Sequence, residues 1–65
     1  MKITVNGETR LIEATTLASA MIELGYGEVR VATAVNECFV ASTAREGKGL
    51  ADGDRIEILA PMQGG

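Results

Sequence analysis

One segment of this 65-residue chain has the period of an amphipathic helix, and segments that alternate like β-strands stand on both sides of it. Its apolar residues recur at spacings of three and four positions, so they share one face of a helix. Thr16 is the expected N-cap because its hydroxyl can accept a hydrogen bond from a first-turn N–H, and Gly25 suits the left-handed residue that ends a helix. The sequence therefore predicts a helix over about residues 16–25. Its apolar face comprises Leu17, Ala20, Met21 and Leu24, and its outward residues are Ala18, Ser19 and Glu23.

Two strands joined by a tight turn are predicted before the helix. Residues 2–5 alternate between polar and apolar, with Ile3 and Val5 on one face. Asn6-Gly7 is typical of a type I′ hairpin turn, which needs positive φ at both central positions. The second strand is predicted over residues 8–13. In this second strand, Thr9 and Leu11 are predicted to face the core, and Arg10 and Ile12 are predicted to lie on the opposite face.

Three further strands are predicted after the helix. Residues 29–36 are rich in β-branched residues, and residues 38–40 form a short return strand after a turn at Asn36-Glu37. The last strand is predicted over residues 55–60 and ends before Pro61, which lacks the donor that a ladder needs. The inward residues of these strands are Val31, Thr33, Val35, Ile56 and Ile58.

The polar stretch over residues 42–49 is predicted to hold a brief helical turn, followed by Leu50 as an isolated apolar anchor. Residues 52–54 then form a tight turn. One amphipathic helix packed on one face of a mixed sheet buries both apolar faces, so the expected class is α+β. If the first and last strands lie side by side at the centre, they run parallel and the fold is a β-grasp; periodicity alone leaves other α+β orders open.

Composition excludes several kinds of active site. The chain has no His and one Cys, so it cannot build a Ser-His-Asp or Cys-His nucleophile, and it has too few ligands for a structural zinc. Cys38 cannot form an internal disulfide, and its neighbour Glu37 disfavours a reactive thiolate. The acidic residues are scattered through turns and outward positions. We therefore expect no catalysis by this chain alone and no permanently bound cofactor or metal.

Charge and hydropathy indicate the class of protein. The net charge is −3, and the basic residues are scattered singly, which disfavours nucleic acid as a partner. No apolar run approaches the roughly 20 residues that span a bilayer, and the early turn at Asn6-Gly7 disfavours a signal peptide. We expect one cytoplasmic domain over residues 1–65, with a flexible tail over residues 61–65.

The tail is the main candidate for the working part of the chain. It ends in Gly64 and Gly65, which bury no side chain and so add nothing to packing. They give a thin backbone whose terminal carboxylate no β-carbon shields. Five extended residues reach about 16–18 Å, enough to enter a partner's buried site. A carboxylate is a poor electrophile, so a partner that holds ATP would have to activate it by adenylation.

An apolar group on the outer face of the sheet is the candidate docking surface for such a partner. Leu59 lies on the face opposite Ile56 and Ile58, and Ala34 and Phe39 are expected on that same face. Met62 lies in the adjacent tail. Exposed apolar clusters on small domains often mark partner sites.

Five segments carry a resemblance to a known family. They are MKITVNGE at residues 1–8, TTL at 15–17, AVN at 34–36, DGDRIEI at 52–58 and PMQGG at 61–65. With these segments the chain resembles the ThiS family, the sulfur carrier proteins of thiamine biosynthesis. The segment that begins with Asp-Gly-Asp and continues into the last strand, together with the Met-Gln-Gly-Gly ending, is the most specific part of the resemblance. One departure is Asn36-Glu37-Cys38, where the family often has Asn-Gly-Glu, so the type of the second hairpin turn is open.

The resemblance implies a ubiquitin-like β-grasp fold and a carrier rather than an enzyme. A ThiF-type enzyme would adenylate the carboxylate of Gly65 with ATP, and a sulfur donor system would convert it to a thiocarboxylate. A ThiG-type thiazole synthase would then accept the sulfur. Gly64, Gln63 and Met62 would lie in the partners' channels, and Leu59, Ala34 and Phe39 would form the docking surface.

Three alternatives stay open from the sequence. A MoaD-like carrier, or a carrier for another sulfur acceptor, shares the fold and the diglycine. A ubiquitin-like modifier would join Gly65 to a lysine and give heavier conjugates in a lysate. A plain interaction module would keep its function after removal of Gly65.

Overall fold

The computed structural model describes residues 1–27 and 29–60. Within these residues, five strands and two short helices follow one another along the chain. They are β1 (Lys2–Val5), β2 (Glu8–Leu11), α1 (Leu17–Glu23), β3 (Ala32–Val35), β4 (Cys38–Val40), a 3-10 helix (Ser42–Gly47) and β5 (Arg55–Leu59). In this part of the chain no helix has the length and hydropathy of a membrane span.

The strands form one mixed sheet in the order β2-β1-β5-β3-β4. The first and last strands, β1 and β5, pair in parallel at the centre, with Val5 beside Ile56. The other neighbours pair antiparallel. This is the central parallel pair that the β-grasp prediction required, so the predicted fold is confirmed.

The core lies between one face of the sheet and α1. Leu17, Ala20 and Met21 are buried on the helix side, as the period predicted. The sheet contributes buried residues from four strands, and these are Ile3, Val5, Thr33, Val35, Val40, Ile56 and Ile58. Half-buried apolar side chains from the loops close its margins, among them Leu50, the predicted anchor.

The two predicted ends of the helix are present. Thr16 accepts a hydrogen bond from Ser19 N through its hydroxyl, as an N-cap should. Gly25 has φ of +94°, the left-handed conformation that ends the helix. The helix itself is shorter than predicted, Leu17–Glu23, because the capping residues at both ends lie outside it.

The facing of the second strand was predicted wrongly. Leu11 is 78% exposed, whereas Ile12, just after β2, is 3% exposed. The two-residue turn places Val5 opposite Glu8, and so Ile3 opposite Arg10. Directly opposed residues point to the same face of a sheet. The even-numbered residues of β2 therefore share the core side, and Thr9 and Leu11 face outward.

Strands β3 and β5 are also shorter than predicted, whereas β4 has its predicted bounds. Residues 29–36 contain a strand only over Ala32–Val35, and the last strand ends at Leu59. Both central residues of the hairpin turn have positive φ, +51° at Asn36 and +72° at Glu37. These signs match those at Asn6 and Gly7 in the first hairpin. The open question about the second turn is settled: it has type I′ signs, with a Glu at a position that glycine usually fills.

Candidate docking surface and tail root

The structure brings the predicted docking residues onto one face of the sheet. Ala34 is directly opposite Phe39, and the register places Leu59 opposite Ala32. Phe39 is 73% exposed and Leu59 is 67% exposed. We call Ala32, Ala34, Phe39 and Leu59 the outer patch. Its use as a docking surface stays a prediction.

Ala32 was not among the predicted site residues, although the alternation of residues 32–35 already placed it on the outer face. Glu57 lies opposite Ala34 on the same face, so a carboxylate borders the patch towards the centre of the sheet. The patch is therefore an apolar strip that crosses β4, β3 and the last residue of β5, with charge on one side.

The tail residues predicted to enter partner channels, Met62, Gln63, Gly64 and Gly65, lie outside the described residues. The described chain ends at Ala60, directly after Leu59. Because Leu59 belongs to the outer patch, the root of the tail is at the edge of that patch.

Asn6 holds the end of β5 beside the first hairpin. Its carboxamide oxygen accepts from Ile58 N at 2.8 Å, and its Nδ2 donates to Ile58 O at 3.1 Å. The regular pairing of β1 with β5 reaches only as far as Val5 and Ile56, so this side chain extends the ladder by two residues. The sequence predicted Asn6 only as a turn residue, and nothing in the local pattern indicates the second role.

Asn36 makes the equivalent contacts at the start of β5. Its Oδ1 accepts from Arg55 N at 3.0 Å, and its Nδ2 donates to the Asp54 carboxylate at 3.0 Å. The hydrogen bond from Ala51 N, then that from Asn36 and the charge of Lys48, hold the pKa of Asp54 below its usual value. The two hairpin turns thus fix β5 at both ends.

The described part of the chain offers little support for a reactive thiol or a metal site. Cys38 is exposed on the edge strand β4. Among residues 1–27 and 29–60, no three His, Cys, Asp or Glu side chains group as metal ligands would. The outer patch and the tail root are therefore the strongest candidates for function.

Comparisons with known proteins agree with this geometry. The ThiS family model matches residues 3–65. The chain is 38% identical over 61 residues to the sulfur carrier protein ThiS of Thermus thermophilus, covering 94% of this chain and 95% of that protein.

Two solved structures from Geobacter metallireducens have the same fold. A crystal structure of thiamine biosynthesis protein ThiS superposes with a TM-score of 0.85 at 25% identity, covering both chains completely. A solution NMR structure of a thiamine biosynthesis protein gives 0.77 at 25% identity, covering all of this chain and 88% of that one. The family match over residues 3–65 and the Thermus relative show that this chain, a ubiquitin-like β-grasp protein, belongs to the ThiS family.

Proposed function

We propose that this protein is a sulfur carrier of thiamine biosynthesis and that the C-terminal carboxylate of Gly65 is the carrying group. The observation that carries the proposal is the family match, which extends through the diglycine to residue 65. The Thermus relative, which spans nearly the same length, is named a sulfur carrier protein.

The proposed chemistry has two steps at Gly65. The carboxylate attacks the α-phosphate of ATP in a ThiF-like enzyme, and pyrophosphate leaves. Hydrosulfide supplied by the donor system then displaces AMP from the acyl-adenylate, and the product loses a proton to leave a thiocarboxylate. Glycine suits both steps because no side chain crowds the carbonyl carbon.

In this proposal the protein is a co-substrate, not an enzyme. ATP is consumed by the adenylating partner, and a ThiG-like thiazole synthase accepts the sulfur. The proposed compartment is the cytoplasm, where ATP and these partners would be available.

The fold supports the proposal by presenting the tail from a rigid support. β5 is the central strand from which the tail leaves, and it is paired on both sides. Asn6 on one side and Ala32 on the other hold its last residues. A partner seated on the outer patch would therefore meet the end of β5, after which the tail begins, at a fixed position.

Intact-mass spectrometry tests the proposal. The chain is incubated with ATP, a sulfur donor system and the adenylating enzyme of the same organism. We expect a gain equal to the exchange of one oxygen for sulfur, located by fragmentation at Gly65, and no gain when ATP is omitted. A covalent conjugate through a lysine of another protein would instead support a ubiquitin-like modifier, and an unmodified chain would contradict the proposal.

A further inference from the structure

A groove lies at the edge of the sheet, next to the root of the tail. Val29, Arg30, Val31, Phe39, Val40 and Arg45 line it, and we call it the edge groove. Ala32 also lines it and lies opposite Leu59, one residue before the last described position. The edge groove and the outer patch are therefore continuous through Ala32 and Phe39.

The guanidinium of Arg45 is fixed in this groove by neutral acceptors. Its Nε donates to Thr33 Oγ1 at 3.0 Å, and its Nη2 donates to Val31 O at 2.6 Å. Thr33 is 2% exposed, and its hydroxyl donates to Val40 O at 2.8 Å. These contacts hold the half-buried cation in place without setting a negative charge beside it.

The described lining of the groove carries two cations and no carboxylate. Arg30 adds an exposed guanidinium to that of Arg45. The ion pair found in the described residues is elsewhere, between Arg55 and Glu37. The groove is thus a local positive site on a chain with a net charge of −3, and such a site orients a partner of complementary charge.

The apolar lining determines the rest of the ligand chemistry. Val29 is 53% exposed and Phe39 is 73% exposed, so the groove offers apolar surface next to the two guanidinium groups. A carboxylate that meets a prepositioned guanidinium forms a charge-assisted hydrogen bond, which is stronger than a neutral one. A segment with an apolar side chain flanked by Asp or Glu fits both features.

We propose that the edge groove binds an acidic and apolar segment of the adenylating partner, with the partner's carboxylate on Arg45 and Arg30. The inference rests on the proposed function, because a partner that draws in the tail must cover the area around its root. It adds a second contact beyond the outer patch and states the chemistry of the partner's surface.

The test measures ATP–pyrophosphate exchange by the organism's own adenylating enzyme as a function of carrier concentration. Arg30→Glu reverses the exposed charge of the groove. Arg10→Glu makes the same change in net charge on β2, at the opposite edge of the sheet. Both variants are checked for unchanged thermal unfolding, and exchange is measured at about 50 and about 300 mM NaCl.

We expect Arg30→Glu to raise the KM for the carrier on the order of tenfold at low salt with kcat unchanged, and to reduce the salt dependence. Arg10→Glu should stay within about twofold of wild type. Equal KM values for the two variants, with active exchange, would overturn this inference alone. No exchange with the wild-type chain would overturn the proposed function together with it.

A second measurement distinguishes a different occupant, the chain's own tail. NMR spectra of the free carrier are compared for wild type and Arg30→Glu. Unchanged Gly64 and Gly65 amide resonances are expected if the groove receives a partner segment. Shifts at these two residues in the free protein would show that the tail carboxylate occupies the groove, and would contradict the proposal.

Discussion

At the scale of single residues, Thr33 links the core to the edge groove. Its position on the inner face was predictable from the alternation of residues 31–35. The contact of Thr33 with Arg45 was not predictable, because the polar stretch around Arg45 has no apolar period that would indicate which of its side chains face the sheet. The contact exists because the 3-10 helix places Arg45 within reach of Thr33 and Val31 at the start of β3, and sequence spacing does not predict this tertiary arrangement.

Thr33→Val tests this link. Valine keeps the shape but removes the hydroxyl, so Arg45 Nε loses an acceptor and Val40 O loses a donor. We expect a loss of about 1–3 kcal/mol in the free energy of unfolding, measured in urea. Thr9→Val, an exposed threonine in β2, should change it by less than about 0.5 kcal/mol. Equal free energies of unfolding for the two variants would show that the Thr33 hydroxyl does not stabilise the fold.

At the scale of elements, turn chemistry and period predicted most of the fold. Asn6-Gly7 and the helical spacing of the apolar face from Leu17 to Leu24 were sufficient to indicate the hairpin and α1. The facing of β2 was wrong because a short edge strand, exposed on every residue, carries almost no apolar pattern. In β2 the two-residue turn sets the register. Ile12 is the buried apolar residue whose position indicates which face of the strand is turned to the core.

Asn6→Gly removes the two side-chain hydrogen bonds between Asn6 and Ile58, which we call the Asn6 clamp. The turn is not disturbed, because glycine accepts the positive φ of residue 6. We expect amide hydrogen exchange at Ile58 to become at least about tenfold faster, since its N–H loses the Asn6 acceptor. We also expect slower adenylation, because fewer hydrogen bonds hold the strand end after which the tail begins.

Asn36→Gly is the matched control for this variant. It removes the equivalent carboxamide at the other hairpin, where the affected donor is Arg55 N. Exchange at Arg55 should rise and exchange at Ile58 should not. If amide exchange at Ile58 stayed slow in both variants, the Asn6 clamp would not stabilise the end of β5.

At the scale of the whole molecule, we propose that a compact body carries a tail whose terminal carboxylate performs the chemistry. The diglycine and the absence of His were readable from sequence and directed attention to the C-terminus. The alternation of the strands was sufficient to predict Leu59, Ala34 and Phe39 on one face, but their neighbours across the strands needed the register, which sets Phe39 opposite Ala34 and Leu59 opposite Ala32.

Leu59→Asp tests the patch as a docking surface. It places a charge where we expect the partner's apolar contact, so the KM for the carrier in adenylation should rise on the order of tenfold or more. Leu11→Asp makes the same change on the same face of the sheet, at a residue that is even more exposed and lies on the far edge strand. It should leave KM within about twofold, and a similar rise for both variants would argue against a localised surface.

The most direct test of the central claim replaces only the terminal carboxylate. A semisynthetic chain ending in Gly65 carboxamide is compared with the unmodified chain in a reconstituted thiazole-forming reaction, and both are checked for the same fold by NMR. We expect the carboxamide chain to support no thiazole formation although its body is unchanged. Thiazole formation at the full rate by the carboxamide chain would contradict the account.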